Sequence, residues 1–74
     1  MKPDWDTAPE WAMYIAMDGD GMWHWWKERP AWDEASEQWE VDLMPSQCYE
    51  LASDAPDESG IDWDHAFDTL EQRP

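Results

Sequence analysis

Two segments rich in aromatic and aliphatic residues lie on either side of an acidic turn in the first half of the chain. Residues 12–18 and 22–29 carry the side chains that strands prefer, and "DGDG" at residues 18–21 between them is a strong turn signal. The pattern predicts an antiparallel hairpin. Pro30 is expected to end the second strand, because proline has no amide hydrogen to donate to a sheet.

A short helical turn is predicted just before this hairpin, near residues 8–11. Thr7 is a good N-cap, Pro9 suits the first turn of a helix, and Glu10 lies three residues after the cap. This spacing is that of a capping box, in which two side chains bond the free amides at a helix start. The chain is therefore expected to enter the first strand from a single helical turn.

The middle of the chain fits two patterns. Residues 31–44 contain one set of side chains spaced as on a helix face and another that alternates as in a strand. The first set is Trp32, Ala35, Trp39 and Leu43, and the second is Trp39, Val41 and Leu43. We favour a third strand near residues 37–43, ended by Pro45, because a hairpin alone is hardly stable in water. A short edge strand is expected within residues 47–51, and residues 52–60 have the composition of a loop.

The last segment has the clearest helical pattern. Its apolar side chains recur at i, i+3, i+4 and i+7, which places them on one face of an α-helix with acids on the other side. The apolar set is Trp63, Ala66, Phe67 and Leu70, the acidic set is Asp64, Asp68 and Glu71, and Asp62 or Asp64 is the expected cap. We therefore predict one α+β domain over residues 1–74. In it, a helical turn leads into a three- to four-stranded antiparallel sheet that packs against a C-terminal helix.

A tryptophan flanked by aspartates occurs near both ends of the chain. "DWDTA" at residues 4–8 returns as "DWDHA" at residues 62–66, and a weaker copy, "WDEA", lies at residues 32–35. The copies are too short and too unevenly spaced for a repeat architecture. The unit either starts helices, with an aspartate capping free backbone amides, or forms a duplicated binding motif. We favour the helix start.

The chain is short and rich in aromatic residues. Its single cysteine, Cys48, forms no internal disulfide, and an unpaired thiol fits a reducing cytoplasm. Eight tryptophans, two tyrosines and one phenylalanine are expected to supply the core. The start "MKPDWD" lacks the apolar run of a signal peptide, and no stretch approaches about 18 apolar residues. We therefore expect a cytoplasmic protein with no segment that spans a membrane.

Charge is the strongest feature of the composition. Nineteen acids face four bases, for a net charge of −15, and residues 33–74 alone carry thirteen acids and one base. Such a surface repels nucleic acid and anionic membranes and attracts basic proteins. Solubility of a small domain needs a net charge of only about 2–8. The excess favours a recognition surface for a basic protein partner, with no direct binding of nucleic acid or membrane.

No arrangement of residues predicts catalysis or a cofactor. "DGDG" matches only the start of a calcium-binding EF-hand loop, since counting from Asp18 puts Arg29 where the last carboxylate ligand is required. His24, Cys48 and His65 lack the paired spacing of a transition-metal site. Close pairs are unavoidable among nineteen acids, so proximity alone does not indicate acid–base catalysis. We expect a protein that is not an enzyme and binds no metal or cofactor.

The run "WHWW" at residues 23–26 is one candidate for binding. In a strand, Trp23 and Trp25 point to one face and Trp26 to the other. Sheets that bind single-stranded nucleic acid through stacked aromatic rings also need basic residues along the phosphates, and the charge of −15 opposes such binding. We expect most tryptophans in the core, with one or two in a protein–protein patch.

The acids themselves are the other candidate. Acids two apart on an extended chain stand on one face about 6.6–6.8 Å apart, so rows of them resemble the phosphates of a nucleic acid. Such pairs are Asp4/Asp6, Asp18/Asp20, Glu40/Asp42 and Asp62/Asp64. The predicted partner contacts are Asp54, Asp57, Glu58, Asp64, Asp68 and Glu71, with Glu37, Glu40 and Asp42 next. These carboxylates are expected to engage lysines and arginines that normally hold phosphates.

The stretch "APEWAMYIAMDGDGMWHWWKERP" at residues 8–30 resembles the start of small tryptophan-rich proteins encoded by tailed bacteriophages and prophages. The shared pattern is an "APEWA" opening, an aromatic–aliphatic strand, an acidic-glycine turn and a tryptophan strand that ends in a lysine–proline region. The ending "IDWDHAFDTLEQRP" at residues 61–74 is also similar to that group. The resemblance leaves out the acidic residues 33–58 and implies no catalytic residue.

In size and charge the chain is also similar to phage inhibitors that mimic DNA, such as the uracil-DNA glycosylase inhibitor and several anti-CRISPR proteins. That similarity implies an inhibitor that occupies the nucleic-acid groove of a host defence or repair enzyme. The leading hypothesis is a phage inhibitor of a host CRISPR effector complex, with a restriction or repair enzyme as the next target. The alternative is a binding module that uses an exposed tryptophan patch in phage assembly or host takeover.

Overall fold

Six short strands form two antiparallel sheets within the described residues. The computed structural model describes residues 2–41, 49–53, 55–58, 60 and 62–74. The strands are β1 Tyr14–Met17, β2 Trp23–Trp26, β3 Ala31–Asp33, β4 Gln38–Glu40, β5 Tyr49–Leu51 and β6 Glu71–Gln72. Two 3-10 helices, Trp5–Thr7 and Trp63–Asp68, complete the regular structure of these residues. The predicted small α+β fold with a three- to four-stranded antiparallel sheet is confirmed, and its helical part is short.

The larger sheet is built on the predicted hairpin. Its strand order is β5-β2-β1-β6, and β3 pairs with β4 in a separate two-stranded sheet. In the hairpin, Tyr14 of β1 lies opposite Trp26 of β2, and Met17 lies opposite Trp23. β5 and β6 extend the hairpin on its two sides, each antiparallel to its neighbour. β6 thereby brings the last segment of the chain back beside β1.

The acidic turn between β1 and β2 is built around glycine and aspartate. Gly21 has a φ of +85°, which residues with a Cβ avoid, and its amide donates to the Asp18 carbonyl at 3.0 Å. The Asp20 side chain accepts the Met22 amide at 3.0 Å. The turn predicted at residues 18–21 is therefore confirmed.

Strand β1 is buried on both faces of the larger sheet. One cluster of buried residues contains Ala12, Ile15, Met17, Trp23, Trp25 and Ala66, and the other contains Ala16, Trp26 and Trp39. The division follows from the two-residue period of a strand, which sends neighbouring side chains to opposite faces. The two-stranded sheet supplies Trp39 and covers the second face. The expectation that most tryptophans form the core is confirmed for Trp23, Trp25, Trp26 and Trp39.

Among the described residues, four indole N–H groups donate to acceptors of the protein. The pairs are Trp5 with the Glu71 carboxylate (2.7 Å), Trp23 with the Asp57 carboxylate (2.7 Å), Trp39 with the Met17 carbonyl (3.0 Å) and Trp63 with the Asp57 carbonyl (2.8 Å). A buried tryptophan usually needs such a partner, because its ring is apolar but its N–H is not. Part of the acid content of this chain therefore supports the tryptophan core.

The middle of the chain forms strands, as favoured, but in a different arrangement. β4 falls inside the predicted strand near residues 37–43, yet it pairs with β3 rather than with the hairpin. Trp32 lies opposite Trp39 in this pairing, and the two rings meet edge to face with centroids 5.5 Å apart. β5 is the predicted edge strand and lies beside β2. Residues 42–48, with the expected strand end at Pro45, lie outside the described residues.

The N-terminal helical turn begins earlier than predicted, and Thr7 is not its N-cap. Asp4 caps the 3-10 helix Trp5–Thr7 by accepting the Asp6 amide at 2.9 Å. The Thr7 hydroxyl donates to the Asp4 carbonyl at 2.6 Å, so this residue ends the helix rather than starting it. Residues 8–11 form no helix, and only a single hydrogen-bonded turn lies there. The short aspartate side chain reaches the amide two residues on and starts the turn first.

The C-terminal segment forms a shorter and tighter helix than predicted. The segment Trp63–Asp68 consists of two 3-10 turns joined by a kink at His65, whose φ of −100° and ψ of 17° are not helical. Ala66 is fully buried, and the Thr69 hydroxyl accepts the Met17 amide of β1 at 2.8 Å. Ala66 and Thr69 therefore attach this segment to the sheet.

Because the segment forms a 3-10 helix and not the predicted α-helix, two groups of residues lie elsewhere than expected. Phe67 and Trp63, expected in the buried face, are 52% and 38% exposed. Glu71 lies in β6 rather than in the helix, so the predicted helical row of Asp64, Asp68 and Glu71 does not form. Pairing of β6 with β1 draws the chain out of the helix after Asp68.

The aspartate-flanked tryptophans start helices, as predicted for the two full copies. Asp4 and Asp62 each accept the amide two residues on at 2.9 Å, at the starts of the two 3-10 helices. In the third copy, Asp33 accepts the Ala35 amide at 3.1 Å and begins the β3–β4 turn instead. The acid pairs in the full copies therefore lie in helical turns, and they do not form rows along an extended chain.

Candidate functional site

Three acidic segments meet at one end of the protein, around Gly19. The Gly19 amide donates to the Glu37 carbonyl at 2.7 Å and joins the β1–β2 turn to the β3–β4 turn. A Cβ on Gly19 would lie 2.8 Å from that same oxygen, so glycine allows this close approach. The C-terminal 3-10 helix reaches the same place from a third side, where the Trp63 ring lies against Gly21.

A groove of about 220 Å³ opens between these three segments, and we name it the aromatic groove. Its lining residues are Gly19, Trp32, Glu34, Glu37, Trp63, Asp64 and Phe67. Three of them are aromatic and three carry carboxylates. The groove therefore combines an apolar wall with a negative rim.

The aromatic wall is held in place by contacts inside the protein. The Trp63 indole is fixed by its bond to the Asp57 carbonyl and by the Gly21 backbone beneath it, yet the residue is 38% exposed. Phe67 is 52% exposed, and its ring centroid lies 6.4 Å from that of Trp32 at an interplanar angle of 58°. Adjacent exposed apolar rings mark interaction sites more often than scattered single residues do. The wall is thus preformed and accessible.

The acidic rim consists of Glu34, Glu37 and Asp64, which are all exposed. Within the described part of the chain, no hydrogen bond or ion pair occupies their carboxylates. Glu37 has a φ of +54°, in the left-handed region that costs a residue with a Cβ about 1–2 kcal/mol. Glycine or asparagine would fit this backbone better, so backbone preference does not account for a glutamate here.

A second groove, of about 200 Å³, shares Gly19 and Glu37 with the aromatic groove and is lined by Asp18 on its other side. The Asp18 carboxylate accepts the Trp39 amide at 2.9 Å and lies 3.5 Å from Nδ1 of His24. Burial raises the pKa of Asp18 above its ordinary value, against a smaller opposing effect of the Trp39 amide. Asp18 therefore joins β4 to the hairpin as well as lining the surface.

Seven of the nine acids predicted as partner contacts lie within the described residues, and five of these seven are exposed. They are Glu37, Glu40, Glu58, Asp64 and Asp68. Glu37 and Asp64 meet at the aromatic groove, although 27 residues of chain separate them. Asp68 lines a neighbouring groove on the other side of Phe67, together with Arg29. The fold thus brings two of the predicted contacts together at one site and distributes the others.

Glu40 lies beside a second carboxylate, that of Asp33. A hydrogen bond between the two side chains holds the pKa of Asp33 below its ordinary value, with a further bond from the Ser36 hydroxyl. These bonds favour the ionised form of Asp33, and they tie it to Glu40 and Ser36 across the β3–β4 turn.

Two predicted contacts have other roles. Asp57 lies in the core and not on the surface where a contact was predicted, because the residue is 4% exposed and its carboxylate accepts the Trp23 indole N–H. Glu71 is ion-paired with Lys2 and accepts the Trp5 indole, and these bonds hold its pKa below the ordinary value. The charge of Glu71 is therefore already balanced within the protein.

Asp42 and Asp54, the remaining predicted contacts, lie outside the described residues, as does Cys48. Among the residues that are described, no group of three His, Cys, Asp or Glu side chains is placed to hold a metal ion. In the same ranges, no helix has the length and apolar character needed to cross a membrane.

The aromatic half of the groove is absent from the sequence predictions. An α-helical period assigns Trp63 and Phe67 to the core, and Trp32 fits the helix-spaced set of the middle segment. The available signal is the Asp62 cap, which starts a short turn at Trp63 in the same way as Asp4 does at Trp5.

Comparisons of the chain with protein-family models, with curated proteins and with solved structures find no match. The function is therefore inferred from the protein's own geometry and charge.

Proposed function

We propose that the protein is a phage-encoded inhibitor that mimics nucleic acid and blocks a nucleic-acid-binding defence complex in the host cytoplasm. The observation that carries the proposal is the density of negative charge. The net charge is −15, on a protein whose Cα atoms extend over 30 × 29 × 21 Å. A DNA duplex as long as the largest of these dimensions carries about 18 charges. The protein thus has nearly the charge of a duplex of its own length.

Most of this charge is on the surface, and few of the protein's own bases oppose it. The exposed acids among the described residues are Asp4, Asp6, Glu10, Asp20, Glu28, Glu34, Glu37, Glu40, Glu50, Glu58, Asp62, Asp64 and Asp68. Of the four bases, Lys2 is paired with Glu71, and Arg73 donates to backbone carbonyls at 2.8 and 3.0 Å. Lys27 and Arg29 are exposed just after β2.

The partner is a basic protein whose lysines and arginines normally hold phosphates. The similarity in size and charge to phage inhibitors that mimic DNA favours a CRISPR effector complex, followed by a restriction or repair enzyme. The same negative field repels nucleic acid, so the protein binds neither DNA nor RNA itself. The contacts we propose are the exposed acids Glu34, Glu37, Glu40, Glu58, Asp64 and Asp68.

Capture of host proteins at increasing salt tests this proposal. The immobilised protein is incubated with host lysate, and bound proteins are eluted by a salt gradient or by competing duplex DNA and identified by mass spectrometry. A nucleic-acid-binding complex that is released by both treatments supports mimicry. A partner that resists salt and ignores DNA overturns it.

Two matched triple variants separate a defined surface from overall charge. Glu37→Gln/Asp64→Asn/Asp68→Asn and Asp6→Asn/Glu10→Gln/Glu28→Gln each raise the net charge by three. We expect the first to weaken capture about tenfold, because each exposed ion pair contributes up to about 1 kcal/mol, and the second to weaken it much less. Equal losses would show that net charge alone attracts the partner, against the contacts proposed here.

A second candidate function is a protein-binding module in phage assembly or host takeover. The observation that favours it is the exposure of Trp63 and Phe67, at 38% and 52%. The patch is not in "WHWW", since all three tryptophans of that run are buried. This function predicts binding that changes little with salt and is lost in Phe67→Ala, whereas mimicry predicts release by salt.

A further inference from the structure

We propose that the aromatic groove receives the side chain of one arginine from the basic partner. The inference rests on the proposed function and names the group that this surface recognises. The groove offers two complementary features to a guanidinium, namely aromatic rings and free carboxylates. No lysine or arginine is among the residues that line it.

Charge complementarity identifies the occupant as a cation. Glu34, Glu37 and Asp64 surround the opening, and none of these carboxylates is paired within the described residues. A nucleobase could stack on the rings, but the three carboxylates would repel its phosphates. An apolar side chain could fill the groove, but it would leave the charged rim without a partner.

The aromatic wall favours arginine over lysine. The guanidinium is planar, stacks on aromatic faces and bonds carboxylates through two parallel N–H groups, whereas an ammonium acts as a strongly hydrated point charge. The rings of Trp32 and Phe67, with centroids 6.4 Å apart and planes at 58°, provide an angled apolar surface next to the rim. A groove of about 220 Å³ is also smaller than typical small-molecule pockets and suits a single side chain.

The protein contains one example of this pairing within its own fold. The Arg73 guanidinium lies over the Trp5 ring at 5.6 Å from the centroid, and it donates to the Pro9 and Ala12 carbonyls. The aromatic groove offers the same combination of aromatic rings and oxygen acceptors to a guanidinium.

Short blocked peptides test the inference without the partner. Gly-Arg-Gly, Gly-Lys-Gly and Gly-citrulline-Gly are titrated into the protein while NMR follows the indole N–H signals. We expect the arginine peptide to shift the Trp63 and Trp32 signals and to bind about threefold more tightly than the lysine peptide. Citrulline, which has nearly the same shape without the charge, should not bind. The Trp5 signal, from a tryptophan already stacked with Arg73, should stay in place.

Variants then locate the binding. Phe67→Leu keeps an apolar side chain but removes one ring, and we expect it to weaken arginine binding about two- to fivefold. Glu37→Gln should weaken it similarly, whereas Glu10→Gln makes the same charge change at a residue that does not line the groove. Glu37→Gly should lose binding while keeping or gaining stability, because it removes the unfavourable φ. Loss of binding without loss of stability would show that Glu37 acts in recognition and not in folding.

Three outcomes would overturn the inference: equal binding of the arginine and lysine peptides, binding of the citrulline peptide, or unchanged binding in Phe67→Leu and Glu37→Gln. Each would leave mimicry standing if the triple variant Glu37→Gln/Asp64→Asn/Asp68→Asn still lost the host complex. Conversely, capture of a partner that is unchanged by salt, by competing DNA and by the triple variant would contradict the proposed function, whatever the peptide titrations show.

Discussion

At the scale of single residues, the acids of this protein divide according to what their carboxylates contact. One group accepts the backbone amide two residues on and shapes turns, and it consists of Asp4, Asp20, Asp33 and Asp62. A second group, Asp57 and Glu71, accepts indole N–H groups of tryptophans. Glu34, Glu37 and Asp64 lack such internal bonds among the described residues. Net charge alone therefore overstates how many carboxylates are available to a partner.

Asp57 is expected to be the acid on which the fold depends most. Asp57→Ala should lower the free energy of unfolding by about 2–3 kcal/mol, because the buried Trp23 indole N–H loses its acceptor. Asp57→Asn keeps an oxygen acceptor and should cost less. Glu58→Gln changes the next, exposed residue and should stay within about 0.5 kcal/mol of the wild type. Urea unfolding followed by tryptophan fluorescence compares the three, and an alanine effect no larger than that of Glu58→Gln would contradict a structural role.

Asp18 is expected to make stability depend on pH. Burial raises its folded-state pKa above the ordinary value of 3.8, so folding favours the protonated acid. The stabilisation from Asp18 is complete below its unfolded pKa and is lost as pH rises through the folded one. Asp18→Asn keeps an acceptor for the Trp39 amide but cannot titrate. Its stability relative to the wild type should therefore rise between about pH 3 and pH 7.

Unfolding curves of both proteins across this range provide the measurement for Asp18. A constant difference between them would show that the acid titrates alike in the folded and unfolded states. Asp18→Ala, which also removes the acceptor, serves as the comparison for the hydrogen bond itself.

At the scale of elements, local patterns predict the strands better than the helices. The aromatic run "WHWW" and the glycine–aspartate turn are sufficient to predict β1 and β2, because a hairpin is made of neighbouring residues. The middle segment is ambiguous alone, and it is resolved by the edge-to-face contact of Trp32 with Trp39 across β3 and β4. β6 has two residues and no periodicity, so it is visible only in its pairing with β1.

The same reasoning explains what could be predicted of the candidate site. Composition identifies Glu37 and Asp64 as surface acids, since a charged residue is rarely buried without a partner. It cannot identify Trp63 and Phe67 as a wall, because their exposure depends on a 3-10 helix whose end is set by β6. It also cannot exclude Asp57, whose burial depends on the distant Trp23.

Thr69 is expected to attach the C-terminal 3-10 helix to the sheet. Its hydroxyl accepts the Met17 amide at 2.8 Å and donates to the Ala66 carbonyl at 2.7 Å. Thr69→Val keeps the shape but leaves that amide without its acceptor, at a cost of about 1–3 kcal/mol. Thr69→Ser keeps the hydroxyl and should cost less. Hydrogen exchange of the Met17 amide checks the mechanism, because faster exchange is expected in Thr69→Val, and unchanged exchange would assign the loss elsewhere.

At the scale of the whole molecule, the placement of the turns explains both the groove and the concentration of negative charge around it. Turns favour glycine and aspartate, because glycine adopts positive φ and aspartate bonds nearby amides. In this fold the acidic β1–β2 turn, the β3–β4 turn and the last 3-10 helix lie at one end. The end of the protein where these turns meet therefore also carries many carboxylates. The aromatic rings that lie between the turns form the wall of the groove.

The net charge of −15 is expected to act in opposite directions on folding and on binding. At about 10 mM salt the Debye length is about 30 Å, so the acids repel one another across the whole protein, and at about 0.5 M it is only a few ångströms. Added NaCl should therefore raise the free energy of unfolding, on the order of 1 kcal/mol over this range. Urea unfolding at several salt concentrations measures the slope, which should be smaller in the triple variant Glu37→Gln/Asp64→Asn/Asp68→Asn.

A partner held by the same charges should be released over that salt range, while the fold gains stability. Loss of capture at high salt then cannot be attributed to unfolding, since unfolding is suppressed under those conditions. If salt instead lowers the stability of the protein, self-repulsion is not the dominant electrostatic effect in the fold. An acidic recognition surface would in that case lose the strong negative field on which it depends.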